Sequence, residues 1–222
     1  MKINLANEIE ALKVWREERH LSIKSQQAGF KGNFFEEVSE FYRAQNDYEA
    51  VDALCDMLVF LINASNSINV LTDKEFEFIP IAWKDGDKYK DCEHHLQNAI
   101  VLLMKCGAGC DDRLPASYLL SAIITLGYDP KKCLGETIKE ICSRTGKYDE
   151  KAKKFVKDKG FYTYDEADKY FSNLIEENKG KVDNYDIYER DDYFEVILYH
   201  SNGDEVVGKF AKWYKANYKE CK

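Results

Sequence analysis

The stretch Glu36-Glu37-Val38-Ser39-Glu40, followed by Glu49-Ala50-Val51-Asp52-Ala53-Leu54-Cys55-Asp56, decides how this chain is read. The two segments carry six carboxylates. Glu37 and Glu40 are three apart and Glu36 and Glu40 four apart, so on a helix they share one face. Glu49 with Asp52, and Asp52 with Asp56, repeat that relation further on. Val51, Leu54, Leu58, Leu61 and Ile62 recur at helical spacing and predict a buried stripe beside the second set. The connection between the two helices is short, which makes them antiparallel neighbours and lets both acidic sets converge. Carboxylates aimed at a bundle core repel one another, and a divalent cation reverses the sign of that interaction. The set is all oxygen with no His, which favours Mg²⁺, with Mn²⁺ as a substitute, over Zn²⁺. The predicted ligands are Glu37, Glu40, Glu49, Asp52 and Asp56, and whether Glu49/Asp52 or Asp52/Asp56 completes the shell stays open. The opposing reading is a solvated face of two amphipathic helices, the usual fate of a charge run. Against it, Asp52 and Asp56 alternate with Leu54, Cys55, Met57 and Leu58, leaving little polar face besides the acids.

Outward from this stretch the chain reads as mainly α. Leu5, Ile9, Leu12 and Trp15 predict a helix over 4–23, and the Gly29–Asn33 region breaks the pattern. Asn33 reads as the N-cap of a second helix ending near 46, and Asp47 as the cap of a third ending near 67. Residues 70–90 read as irregular, with Phe76, Phe78, Ile79, Ile81 and Trp83 clustered around Pro80. Helices follow over 89–105 and 116–126. Gly127-Tyr128-Asp129-Pro130 is a junction with Asp129 as N-cap and Pro130 at the first helical position of a helix reaching about 143. Residues 165–178 predict a last helix, and 185–189, 193–200 and 205–209 predict strands joined by polar turns. The expected architecture is an antiparallel helical bundle with a small C-terminal β-hairpin or three-stranded element. The expected division is a helical domain over 1–160, with an insertion at about 70–116, and an α+β extension over 161–222.

Composition bounds the function. A formal charge of −8 over 222 residues argues against direct nucleic-acid binding, which needs a basic footprint. A nucleotide substrate is compatible, because a metal carries positive charge. Seven cysteines at irregular spacing, and an amphipathic start in place of a signal peptide, predict reduced thiols and a cytoplasmic protein. Cys106 and Cys110 after His94 and His95 match no common zinc spacing. Glu93-His94-His95 likewise lacks the Glu-x-x-His offset of a di-iron bundle. No apolar run is long enough to span a bilayer.

The pattern Glu-Glu-x-x-Glu, then Glu-x-x-Asp, with Asp52-Ala53-Leu54-Cys55-Asp56 overlapping it, resembles the all-α nucleoside triphosphate pyrophosphohydrolases. That group includes the MazG-like, dimeric dUTPase-like and phosphoribosyl-ATP pyrophosphohydrolase-like proteins. Residues 127–146 look like the later helix of phage and bacterial members, and 154–158 and 213–218 resemble the tails of phage-type members. The likeness covers roughly 1–69, 117–160 and 212–220, with 70–116 and 161–211 as insertions. It implies hydrolysis of a nucleoside triphosphate to the monophosphate and pyrophosphate, with bound Mg²⁺, in a homodimer or higher oligomer. Glu36 or Glu37 is then the carboxylate that positions or deprotonates the attacking water. Lys31, Arg144, Lys147 and Lys157 are the implied phosphate contacts, although an Asn and a Lys in many relatives are replaced here by Ser143, Arg144 and Lys147. Residues 212–220 are expected to return to the site, and Trp15, Phe34 and Phe35 to offer a base pocket. A non-catalytic helical interaction protein and a nucleotide sensor with a degenerate site are the alternatives.

Overall fold

A computed structural model describes residues 1–70, 73–80, 86–106, 111–149, 151 and 154–222. The expectations placed on Ile81, Trp83 and Cys110 lie outside the described residues. The chain is mainly helical and divides into two compact units, residues 1–138 with 216–222, and residues 139–215. Among the described residues, no helix is long and apolar enough to cross a membrane.

The first unit contains α1 (Ala6–Glu18), α2 (Ile23–Arg43), α3 (Asp47–Ala64), a short α4 (Asn66–Val70), α5 (Lys88–Cys106), α6 (Arg113–Thr125) and most of α7 (Pro130–Ser143). The stripe expected on α3 is fully buried: Val51, Leu54, Leu58 and Ile62 are 0% exposed and Leu61 is 2%. α2 lies along α3, and α5 along α6. The expected break at Gly29–Asn33 does not occur, because α2 runs unbroken through both glycines. A helical glycine costs about 1 kcal/mol relative to alanine, and the burial of Phe30, Phe34 and Phe41 on one side of the helix outweighs that. The cap is accordingly Ser22, whose hydroxyl accepts from Ser25 N–H at 3.1 Å. The cap of α3 is Asn46 rather than Asp47, and Asp47 instead accepts from Lys88 Nζ at 2.7 Å and from the Tyr89 hydroxyl. Asp129 caps α7 as expected, its Oδ1 accepting from the N–H groups of Lys131 at 2.9 Å and Lys132 at 3.2 Å. Two three-residue strands escaped the sequence reading: β1 (Lys2–Asn4) pairs antiparallel with β2 (Glu75–Glu77), burying Ile3 and Phe76.

The second unit holds an antiparallel pair, β3 (Gly146–Asp149) with β4 (Lys154–Lys157), and a four-stranded sheet with α8 (Tyr164–Glu177) against it. The sheet order is β5 (Gly160–Phe161), β8 (Glu205–Lys212), β7 (Tyr193–His200), β6 (Val182–Glu189). The three long strands and the helix match expectation. The added β5 is two residues long and runs parallel to β8, too short to leave a periodic signal. Gly160 permits that pairing, since a Cβ there would stand 2.6 Å from the carbonyl oxygen of Ala211 and 2.5 Å from Trp213 Nε1. Phe161, Ala167, Phe171, Phe194 and Val196 form the core of this unit.

Candidate functional site

α2 carries Glu36, Glu37 and Glu40, and α3 carries Glu49, Asp52 and Asp56. The close packing of the two helices brings part of this set together. Burial first, then the charges of Glu40, Asp52 and Glu36, raises the proton affinity of Glu37 to a pKa of about 7. Its Oε2 is buried and has no hydrogen-bond partner among the described residues. Such an atom costs free energy until a cation or proton meets it. Glu40, Glu49 and Asp52 line an open cleft of about 340 Å³ together with Arg43 and Ala44.

The remaining predicted ligands stand differently. Glu49 closes a reciprocal cap at the start of α3: its Oε2 accepts from Gln45 N–H at 2.7 Å and its Oε1 from Asn46 Nδ2 at 2.8 Å. Asp56 is half-buried one turn beyond Asp52. Among the described residues, no three His, Cys, Asp or Glu side chains already form a cage for a metal ion. The donor set nevertheless suits a hard divalent cation, because it is all oxygen and its buried atom, Glu37 Oε2, has no hydrogen-bond partner among the described residues. Residues Glu37, Glu40 and Asp52 fit that role, with Glu49 at the rim.

Asp52 is anchored from the C-terminal segment. The Tyr218 hydroxyl donates to Asp52 Oδ1 at 2.6 Å and lies 2.9 Å from Thr137 Oγ1. Tyr218 is 5% exposed, and burial, then the nearby Cys55 and Asp52, drives its phenol pKa far up, so it stays protonated as a donor. The segment is itself fixed: Asn217 N–H donates to Glu136 Oε2 at 3.1 Å, and Asp129 N–H donates to the carbonyl of Cys221 at 2.7 Å. Arg43 was not singled out in the sequence, although it lies three residues after Glu40. Tyr218 lies in the 212–220 tail expected to return to the site, but its pairing with Asp52, 166 positions away, left no local signal.

Of the predicted phosphate contacts, Lys31 is exposed on α2 in the first unit. Arg144, Lys147 and Lys157 belong to the second unit. Lys147 and Lys157 are exposed on β3 and β4. Arg144 is engaged: it donates to Glu140 Oε1 at 2.7 Å and to the Tyr162 hydroxyl at 2.8 Å, with its guanidinium 5.6 Å from the centre of that ring. Phe34 is 2% exposed and belongs to the core, which removes it as a base platform, whereas Phe35 is open to solvent. His95 is 1% exposed with neither ring nitrogen bonded among the described residues, and burial, then His94, lowers its pKa to about 4. Among the described residues, the thiols of Cys55, Cys92, Cys133, Cys142 and Cys221 form no disulfide.

No protein-family model, no curated protein and no solved structure matches this chain.

Proposed function

We propose that the chain is a Mg²⁺-dependent nucleoside triphosphate pyrophosphohydrolase, built on the bundle type that its acidic motifs resemble. The observation that carries this is the convergence of Glu36, Glu37, Glu40 and Asp52 from α2 and α3 around a carboxylate oxygen with no hydrogen-bond partner among the described residues. A purely solvated acidic face gives no reason to withdraw one of its oxygens from water.

Glu37, Glu40 and Asp52 would hold the cation. Bound Mg²⁺ would neutralise the phosphate charge and acidify an attacking water. The chain's own part is then positional. Glu36 is exposed on the same helix, one residue before Glu37, and is the carboxylate left to accept a proton. Water oxygen bonds to the α-phosphorus, the α–β bridging oxygen departs with pyrophosphate, and the water proton passes to Glu36. Arg43, on the cleft wall, supplies a guanidinium toward the triphosphate. Self-association is also part of the proposal, supported by Val101 and Met104, exposed at 48% and 57% three residues apart on α5.

The test is pyrophosphate release from a panel of ribo- and deoxyribonucleoside triphosphates, with Mg²⁺ and with chelator, using Glu40→Gln as control. Release that needs both Mg²⁺ and Glu40 is the expected result. No release from any nucleotide would sink the proposal.

A further inference from the structure

The Tyr218 hydroxyl meets two polar side-chain atoms with one hydrogen to give. Asp52 as a carboxylate only accepts, and its 2.6 Å contact is in the range of a charge-assisted bond, so the phenol hydrogen goes there. Thr137 Oγ1, 2.9 Å away, must then be the donor to the phenol oxygen. The same hydroxyl lies 3.1 Å from the carbonyl of Cys133, the alternative acceptor for its hydrogen. Thr137 is 3% exposed and Tyr218 5%, so neither hydroxyl has water to fall back on.

We propose that Tyr218 is a positioning residue, fixed by Thr137, that orients Asp52 as a ligand for the divalent cation. This rests on the proposed function of the cleft and deepens it. The chemistry of the donor is the reason. A lysine or arginine at this place would neutralise Asp52 and compete with a cation. A phenol fixes the orientation of the carboxylate at the cleft that Asp52 lines and adds no charge to cancel its own. Glu136 and Asp129 hold the flanking residues of the segment, so the phenol is delivered by a docked backbone. Residues 166 positions apart thus complete one site within the first unit.

The experiment uses the full chain, with Tyr218→Phe and Thr137→Val compared with wild type. Mn²⁺ affinity is measured by calorimetry on the nucleotide-free protein, pyrophosphate release is measured in parallel, and folding is followed by thermal melting. Tyr218→Phe is expected to weaken Mn²⁺ about tenfold and lower kcat by a similar factor, with KM for nucleotide within about twofold. Thr137→Val, which does not touch Asp52, shifts both quantities in the same direction by less. A purely structural role would lower the melting temperature and leave Mn²⁺ affinity in the folded protein unchanged, and that result overturns the proposal. If Tyr218→Phe does not fold, unchanged affinity in Thr137→Val overturns it equally. A wild type that releases no pyrophosphate, yet loses Mn²⁺ affinity in Tyr218→Phe, keeps the assignment and overturns the catalytic function instead. A wild type that binds no Mn²⁺ overturns both.

Discussion

Glu37 and Glu140 are carboxylates drawn away from solvent, one in each unit, and the chain treats them in opposite ways. Glu140 is 5% exposed and ringed by donors: Arg144 Nη2 at 2.7 Å, the Tyr162 hydroxyl at 2.8 Å and Lys215 Nζ at 3.5 Å. Glu37 has one oxygen with no partner among the described residues, and the charges that act on it come from Glu40, Asp52 and Glu36. A buried acid among cations and hydroxyls is a finished structural element. A buried acid among acids is unfinished until something positive arrives. Under the proposed function, the contrast separates a side chain that holds the fold from one held ready for a cation.

The largest effect expected at either place is catalytic. Glu37→Gln should reduce Mg²⁺-dependent pyrophosphate release about 10³-fold, roughly 4 kcal/mol in the barrier, measured by steady-state kinetics at saturating nucleotide. Undiminished release would place Glu37 beside Glu140 as structural. Glu140→Ala should do the reverse, costing about 2–3 kcal/mol of stability in urea unfolding, because Arg144 and Tyr162 lose a common partner. The figure sits below the range for fully buried pairs because the Arg144 side chain is 32% exposed.

A smaller effect follows from pH. The Glu37 pKa rises from 4.5 to about 7, so its protonated form is favoured by folding. That stabilisation is complete below pH 4.5 and is lost as pH rises through 7. In chelator, the stability difference between wild type and Glu37→Gln should move by about 1–2 kcal/mol in favour of the variant over that window, a figure reduced for the partial exposure of the group. Denaturant melts at several pH values check it, and a flat difference would mean that the neighbouring acids do not press on Glu37. The smallest effect concerns the helix that presents it. Gly32→Ala should stabilise α2 by about 0.5–1 kcal/mol, since a Cβ there meets nothing within 4 Å. Gly29→Ala meets only Asn33 Nδ2 at 3.6 Å and should act likewise. A loss of stability in both would show that α2 needs its glycines.

Much of this was legible in the sequence because it is periodic or local. The α3 stripe, the Asp129–Pro130 helix start and the three long strands each follow from residues within a few positions of one another. The convergence of Glu37, Glu40 and Asp52 also followed, since a short link between helices leaves them little choice. What escaped reading was decided by packing. The two glycines of α2 look like a break until the phenylalanines around them are known to be buried. Glu49, expected as a metal ligand by spacing, also sits three residues after Asn46 and closes a helix cap there. Arg144, expected as a phosphate contact, also pairs with Glu140. Tyr218 and Thr137 are 81 positions apart, and no local pattern joins them.

Whether Glu37 awaits a cation is tested most directly by thermal melting at pH 8 with and without Mg²⁺. Wild type should gain several degrees of melting temperature with Mg²⁺, and Glu37→Gln, already more stable in chelator, should gain little. An equal gain in both proteins, or none in wild type, would contradict it.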